Sequence, residues 1–478
     1  MSIDNPSLSM SSTSDHGVTW QQGHLIEVEI LDLSPNGDGV GRWSDQQRVV
    51  FVPNTVPGDQ ISVRLVRVKP RYAYGQLQHI IRPSPHRVRP QCIVADKCGG
   101  CQWQPVDYAH QLIAKQDQVI QALERIGQFQ SFAVEPVLAA PSPFAYRNKV
   151  TYPIVLNSNS RRVQAGYYRK GSHKLINLNQ CPVQDPHFDI FLADIKEDIQ
   201  KQDWPIYNEQ NHRGFIRHLS LRIGRRTGEV LLTLVINGSQ HSITKLPDLE
   251  NQAQQWLDQY PELVGVCLNF NTQRTNRIFG AETTCVAGRN YLNETFAGLT
   301  FQLRPDTFFQ IHTEQAEVLL NTILEYLQLR GHERVVDVYC GIGTLTLPIA
   351  QHVQEIVGIE MQTAAIEQAQ VNASLNQITN ATFIVGAAKD CLDAIPFATD
   401  VILLDPPRKG CHEDVIEQLL TLNPQTIVYV SCHPATLARD LKLLCHSGQY
   451  TLSRVQPVDF FPQTAHIECV AFLSRQAS

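Results

Sequence analysis

No apolar run in the 478 residues approaches the length that crosses a bilayer, so the chain is not read as a membrane protein. The opening stretch, Met1 to Gly17, lacks the hydrophobic core of a secretory signal. It reads as a polar, frayed tail (residues 1–16) on a cytoplasmic protein. Internal repeats and low-complexity tracts are missing too, which argues against a solenoid. Charged residues make up only 18% beside 43% hydrophobic ones, an ordinary soluble balance for a chain long enough to form two to four domains. Cysteine, by contrast, is plentiful. Twelve cysteines in a cytosolic chain are read as reduced thiols and metal ligands rather than disulfides.

A net charge of -6 argues against a nucleic-acid partner until its distribution is followed. Residues 61–95 carry seven Lys/Arg (Arg64, Arg67, Lys69, Arg71, Arg82, Arg87, Arg89) and no acid. Residues 141–180 carry seven more, among them Arg147, Lys149, Arg161 and Arg162, again with no acid. The remainder holds 26 basic against 46 acidic residues, so positive charge is concentrated in the first half. Tyr72, Tyr74, Phe144, Tyr146, Tyr152, Tyr167 and Tyr168 lie among these basics, a mixture suited to phosphate contact and base stacking.

Three strand ends carry chemistry. Thr426 to Val430 is a β-branched strand running into Ser431-Cys432-His433-Pro434, where proline can open a helix. That places the Cys432 sulfur on the carboxyl rim of a sheet beside a helix N-terminus, whose positive end favours thiolate. Val335-Val336-Asp337-Val338-Tyr339 runs into the glycine turn Cys340-Gly341-Ile342-Gly343, with a helix expected from Leu345 to Val353. Glu360 ends the following strand, where a carboxylate can bind ribose hydroxyls. This spacing suits an S-adenosylmethionine (AdoMet) fold at least as well as a nicotinamide one. Val401 to Leu404 ends in Asp405-Pro406-Pro407-Arg408, a carboxylate held by two prolines.

With Asp306-Thr307-Phe308-Phe309-Gln310 and the run Val458-Asp459-Phe460-Phe461-Pro462-Gln463-Thr464-Ala465-His466-Ile467-Glu468, these motifs resemble the RNA 5-methyluridine methyltransferase family over nearly the whole chain. The resemblance implies that Gln310, Tyr339, Glu360 and Asp405 contact AdoMet, that Cys432 is the nucleophile and that Glu468 is the general base. Thr344 and His433 stand where relatives carry asparagine. The residue types suit the reaction: carbon 5 of uracil becomes nucleophilic only after a thiolate adds to carbon 6, and a base must then remove the carbon 5 proton. A final strand, Ile467 to Leu473, is expected to return beside the Cys432 strand.

Residues 17–82 alternate as five short strands with turns at Ser34 to Gly39 and Pro53 to Asp59, the pattern of an OB-type barrel. The stretch resembles the TRAM module of the same family. Cys92, Cys98, Cys101 and distant Cys181 could bind zinc or an iron-sulfur cluster, and spacing alone leaves both open. The resemblance implies a [4Fe-4S] cluster with a structural role.

The expected architecture is thus α/β: a TRAM barrel at 17–82, a central α+β domain with cluster and RNA-contact surface at 83–297, and a doubly wound, Rossmann-like catalytic domain at 298–478. The central domain opens with a helix near Tyr108 to Ile126, and Arg147-Asn148-Lys149 resembles an RNA-contact patch. The implied partner is RNA, ribosomal RNA ahead of transfer RNA, with no membrane, and the chain is expected to be a monomer. A non-catalytic RNA-binding protein is disfavoured by the joint presence of Cys432 and Glu468. An amino-group methyltransferase is disfavoured because it needs Asn-Pro-Pro-Tyr in place of Asp405-Pro-Pro-Arg408.

Overall fold

The computed structural model describes residues 20–43 and 48–476, so the expected tail, residues 1–16, lies outside the described residues. The chain divides into two compact units between Arg87 and Val88.

In the first unit β1 (Leu25–Leu33), β2 (Gly39–Trp43), β3 (Arg48–Val52), β4 (Gln60–Val68) and β5 (Tyr72–Arg82) close into a barrel in the order β1-β2-β3-β5-β4. Alternation sends Ile26, Val28 and Ile30 of β1 inward against Val50, Val52, Ile61, Val63 and Leu65, and closure removes the strand edges. The buried Asp59 carboxylate accepts from Val56 N (2.7 Å) and Ser84 N (2.9 Å) and pairs with Arg87, tying the β3–β4 turn to the chain leaving the barrel. Arg64, Arg67, Lys69, Arg71 and Arg82 are exposed, and Phe51 packs its ring on the exposed Tyr72 and Tyr74. The first acid-free stretch is therefore a basic, aromatic surface.

The second unit opens with helix α1 (Tyr108–Ala122), N-capped by Asp107 and followed by a wider π turn through Gly127. A seven-stranded sheet follows, built from β6 (Lys149–Leu156), β7 (Val163–Tyr168), β8 (Leu175–Asn177), β9 (Ile216–Ile223), β10 (Val230–Ile236), β11 (Leu263–Phe270) and β12 (Glu282–Gly288) in the order β12-β11-β10-β9-β6-β7-β8. Helices α2 (His187–Lys201) and α3 (Leu249–Gln259) bury Phe188, Phe191, Ile195 and Trp256 against it.

The second acid-free stretch is not the continuous RNA face expected. Tyr146 and Tyr152 are fully buried, Tyr152 because β6 is an interior strand of this sheet and Tyr146 because it stacks on His312. Asn148 donates to Gln310 O (2.8 Å) and Thr313 Oγ1 (2.9 Å), and Lys149 Nζ donates to Pro305 O (2.9 Å). Both satisfy groups of the segment entering the C-terminal sheet instead of facing solvent. Arg161, Arg162, Arg169, Lys170 and Lys174 remain exposed.

A hairpin, β13 (Leu292–Phe296) and β14 (Leu299–Leu303), leads to α4 (Thr313–Leu327). This helix stops at a left-handed Gln328, with Gln328 N closing on Leu324 O. The C-terminal sheet comprises β15 (Arg334–Val338), β16 (Glu355–Glu360), β17 (Ala381–Val385), β18 (Val401–Leu404), β19 (Thr426–Ser431), β20 (Tyr450–Val458) and β21 (Glu468–Arg475), ordered β17-β16-β15-β18-β19-β21-β20. β15 to β19 are parallel, and β21 runs antiparallel to both neighbours. Helices α5 (Thr346–Ala350), α6 (Thr363–Leu375), α7 (Ala388–Cys391), α8 (Glu413–Leu422) and α9 (Pro434–His446) join these strands. α5 is shorter than expected, since bonds from Gln351 N to Pro348 O and His352 N to Ile349 O tighten its last turn.

Both faces of this sheet are covered, so its strands alternate between two cores rather than between core and water. Leu403, Val428 and Val430 enter the core that also holds Leu319 and Ile323 of α4. Ile402, Leu404, Ile427 and Tyr429 enter the other, shared with α8 and α9. Val119 of α1 also packs in this second core, so a helix preceding the central sheet in sequence belongs spatially to the C-terminal one.

Candidate active site and cysteine pocket

Strand order places the chemistry. The chain winds from β15 out to β17, then returns on the other side of β15 as β18, which opens a crevice at the carboxyl ends of β15 and β18. Tyr339 follows β15, Glu360 ends β16, Asp405 follows β18 and Cys432 follows β19. Because β21 is antiparallel, its first residue, Glu468, stands at this same edge. Ser431 pairs with Cys469, so Cys432 and Glu468 leave their strands side by side. Five adjacent strands thus contribute five polar side chains to one rim.

The local conformations have identifiable causes. Tyr339 adopts φ 74°, a strained value for a non-glycine residue, with Tyr339 N and Cys340 N both bonded to Ile359 O (2.8 and 3.0 Å). Gly410 has φ +80°, and a Cβ there would meet Asp440 Oδ2 at 2.4 Å, so the Asp405 loop packs on α9 only with glycine. The fully buried Asp440 accepts from Cys411 N (2.9 Å) and Tyr429 OH (2.6 Å), binding that loop to the Cys432 strand and helix. Pro434 opens α9 as expected, and His433 Nδ1 accepts from Thr436 N (3.4 Å), a side-chain cap on the helix.

A cavity in the crevice is lined by Gln310, Tyr339, Thr344, Asp405, Phe308 and Asp337 among others, and no Lys, Arg or His lines it. Glu360 stands beside this cavity without lining it, its Oε1 accepting from Gln362 N (2.9 Å). Burial, then Glu360, raise the Asp337 carboxyl to about 6 against the hydrogen bond from Thr346 Oγ1 (2.5 Å). Burial and Asp337 raise Asp405 to about 7. Burial and Asp405 push Glu468 well above the carboxylate range. An acidic pocket of this kind is suited to a cation.

Cys432 corrects one expectation. Burial, followed by Glu468 and Asp405, pushes its thiol up to about 11, and Arg408 only partly offsets them. Burial first, and the two neighbouring carboxyl groups after it, oppose the thiolate that the helix N-terminus favours. Asp337 was missed as a pocket residue. Its signal was an acid inside the otherwise apolar strand Val335 to Val338.

Cys92, Cys98, Cys101 and Cys181 line a second cavity together with Arg147 and Tyr167. All four are free thiols, and burial raises Cys98, Cys101 and Cys181, the last to about 12. No three His, Cys, Asp or Glu residues among the described residues are placed to hold a metal ion. The donor set nevertheless fits a larger group: four thiols without carboxylate or imidazole surround one space, and a buried guanidinium faces it. Arg147 Nε has no hydrogen-bond partner, and an anionic occupant would satisfy it. Arg147, expected to contact RNA, is instead part of this pocket.

Comparison with known proteins agrees with the geometry. Residues 281–476 match the family model described as tRNA (uracil-5-)-methyltransferase, and residues 19–78 match the TRAM domain. An uncharacterised RNA methyltransferase of Nostoc sp. is 60% identical, covering 95% of this chain and 97% of its own. One from Bacillus cereus is 38% identical over 95% and 97%. The crystal structure of Pyrococcus abyssi tRNA (uracil-54, C5)-methyltransferase with S-adenosyl-L-homocysteine superposes with a TM-score of 0.75 at 28% identity, covering 93% of this chain and 99% of that one. The chain therefore belongs to the RNA 5-methyluridine methyltransferase family, AdoMet-dependent enzymes that act on uracil carbon 5.

Proposed function

We propose that this enzyme methylates carbon 5 of a uridine in large-subunit ribosomal RNA through a covalent adduct at Cys432 resolved by Glu468. The observation that carries the reading is the side-by-side departure of Cys432 and Glu468 from paired strands, at the edge of an acidic cavity lined by Gln310, Tyr339 and Asp405. AdoMet supplies an electrophilic sulfonium methyl, and Gln310, Tyr339 and Asp405 of the lining, with Glu360 beside it, would hold it. The acidic lining, free of basic side chains, favours this cation over its neutral thioether product. Cys432, as its thiolate with the proton lost to solvent, would add Sγ to carbon 6, and carbon 5 would take the methyl as the sulfonium S–CH3 bond breaks and its electron pair stays on the departing thioether sulfur. Glu468 then removes the carbon 5 proton, the C–H electron pair forms the carbon 5–carbon 6 double bond, and the sulfur–carbon 6 bond breaks.

The four pocket cysteines would hold a [4Fe-4S] cluster that stiffens the start of the second unit, with Arg147 offsetting its negative charge. The protein is read as a cytoplasmic monomer, where free thiols stay reduced. Ribosomal RNA is preferred because the barrel together with the four cysteines resembles the ribosomal branch of the family. Transfer RNA is the second reading, favoured by the Pyrococcus enzyme's substrate and its match over most of this chain. Mapping 5-methyluridine in both RNA classes from a deletion strain decides. Loss of a modified uridine from large-subunit RNA supports the proposal, loss from transfer RNA alone selects the second reading, and loss from neither refutes both.

A further inference from the structure

The loop between β20 and β21, which delivers Glu468, is held almost entirely by residues from outside its own sheet. Asp459 Oδ1 accepts from Lys115 Nζ (2.5 Å), and Asp459 Oδ2 accepts from Tyr108 OH (3.0 Å). Lys115 Nζ also donates to Phe461 O (3.0 Å). Gln111 makes a reciprocal pair with Gln463: its Nε2 donates to Gln463 Oε1 (3.1 Å), and its Oε1 accepts from Gln463 N (3.0 Å). Gln463 has φ 69°, a left-handed turn that needs such support. Gln463 O takes two further bonds, from Gln102 N (3.1 Å) and Trp103 N (3.0 Å), directly after Cys101. Tyr146 OH donates to Pro462 O (3.1 Å).

Gln111 and Lys115 are both 0% exposed, and a buried lysine–carboxylate pair is a poor source of stability, since desolvation consumes most of its attraction. What such a pair does provide is one geometry. Here that geometry is the path of residues 459–467 into Glu468.

Resting on the reading of Glu468 as base, we propose that Gln111 and Lys115 of α1 are positioning residues for the elimination step. They fix the loop so that the Glu468 carboxylate meets the carbon 5 proton of the adduct. Neither residue lines the AdoMet cavity, although Phe460 of the loop does, so AdoMet affinity and methyl transfer are read separately from product release. In their absence Glu468 is misplaced: the carbon 5 proton stays, the double bond does not re-form, and the sulfur–carbon 6 bond persists.

The test compares Gln111→Leu, Lys115→Met and the double variant Lys115→Met/Asp459→Asn with Glu468→Gln and wild type. Each full-length protein is reacted in single turnover with labelled AdoMet and unmodified large-subunit or transfer RNA transcripts, whichever wild type methylates. Methylated covalent adduct, released product, AdoMet affinity and thermal midpoint are measured. The clamp variants should release product roughly 10- to 100-fold more slowly, as expected for a catalytic group displaced by about 1 Å, while methylated adduct accumulates and AdoMet affinity holds. Because Lys115→Met leaves Asp459 buried without its cation, the double variant separates folding from positioning. Slow release that persists when the midpoint has returned to within a few degrees of wild type supports the proposal. Release that recovers together with stability overturns it, as does normal release in Gln111→Leu. If Glu468→Gln itself accumulates no adduct, the base assignment fails instead, and the two failures are distinct.

Discussion

Asp337→Asn should stabilise the AdoMet-free protein at alkaline pH and not at acid pH. Asp337 is 1% exposed, and burial followed by Glu360 lifts its carboxyl from the ordinary 3.8 to about 6. A folded value above the unfolded one means that the group's contribution is fully present below pH 3.8 and is lost as pH rises through about 6. The gap of roughly two pH units is worth about 3 kcal/mol at ~1.4 kcal/mol per unit. Asparagine stays neutral, and its oxygen can still accept from Thr346 Oγ1. The variant should therefore match wild type near pH 4 and exceed it by up to about 3 kcal/mol at pH 8, a rise of several degrees in thermal midpoint. Thermal unfolding of both proteins across this range is the assay. A midpoint difference that does not change with pH would refute the view that burial holds the Asp337 carboxyl against ionisation.

The same electrostatics predict that the preference for AdoMet over S-adenosyl-L-homocysteine, read by calorimetry, rises from pH 5 to pH 8 as Asp337 and Asp405 ionise; a flat ratio contradicts it. Because Cys432 is raised and must lose its proton to add to carbon 6, single-turnover methyl transfer should climb between pH 6 and 9, and release of product, which needs the raised Glu468 ionised, should climb with pH as well; rates falling over that interval contradict the roles given them. Cys98→Ala should lose iron and sulfide from anaerobically purified protein and lower its thermal midpoint, whereas stoichiometric zinc without iron in the wild type contradicts the cluster. Removing residues 1–87, the first compact unit, should weaken RNA binding and flatten its salt dependence while AdoMet still binds; unchanged affinity and slope would make the barrel a scaffold only.

What the sequence made legible was local. Cys432, Asp405 and Glu360 each end a run of apolar residues, and a parallel sheet turns such ends into one rim without further information. The barrel was legible because five short strands with glycine and proline turns have few other ways to bury one face. Illegible were the groups whose partners lie hundreds of residues away. Lys149 and Asn148 look like a basic, polar surface patch until Pro305 and Gln310 are brought beside them. Lys115 sits on a helix that reads as amphipathic, and only Asp459 explains its burial. The influences opposing a Cys432 thiolate were illegible for the same reason: the helix dipole is local, but the burial and the carboxyl groups of Asp405 and Glu468 come from other strands.

The most direct test of the central claim is the fate of RNA on Glu468→Gln. With Cys432 intact, the mutant should accumulate a denaturant-resistant protein–RNA complex that carries the labelled methyl group, and the complex should vanish in Cys432→Ala/Glu468→Gln. Wild-type turnover by Glu468→Gln, or 5-methyluridine made by Cys432→Ala, would contradict the account.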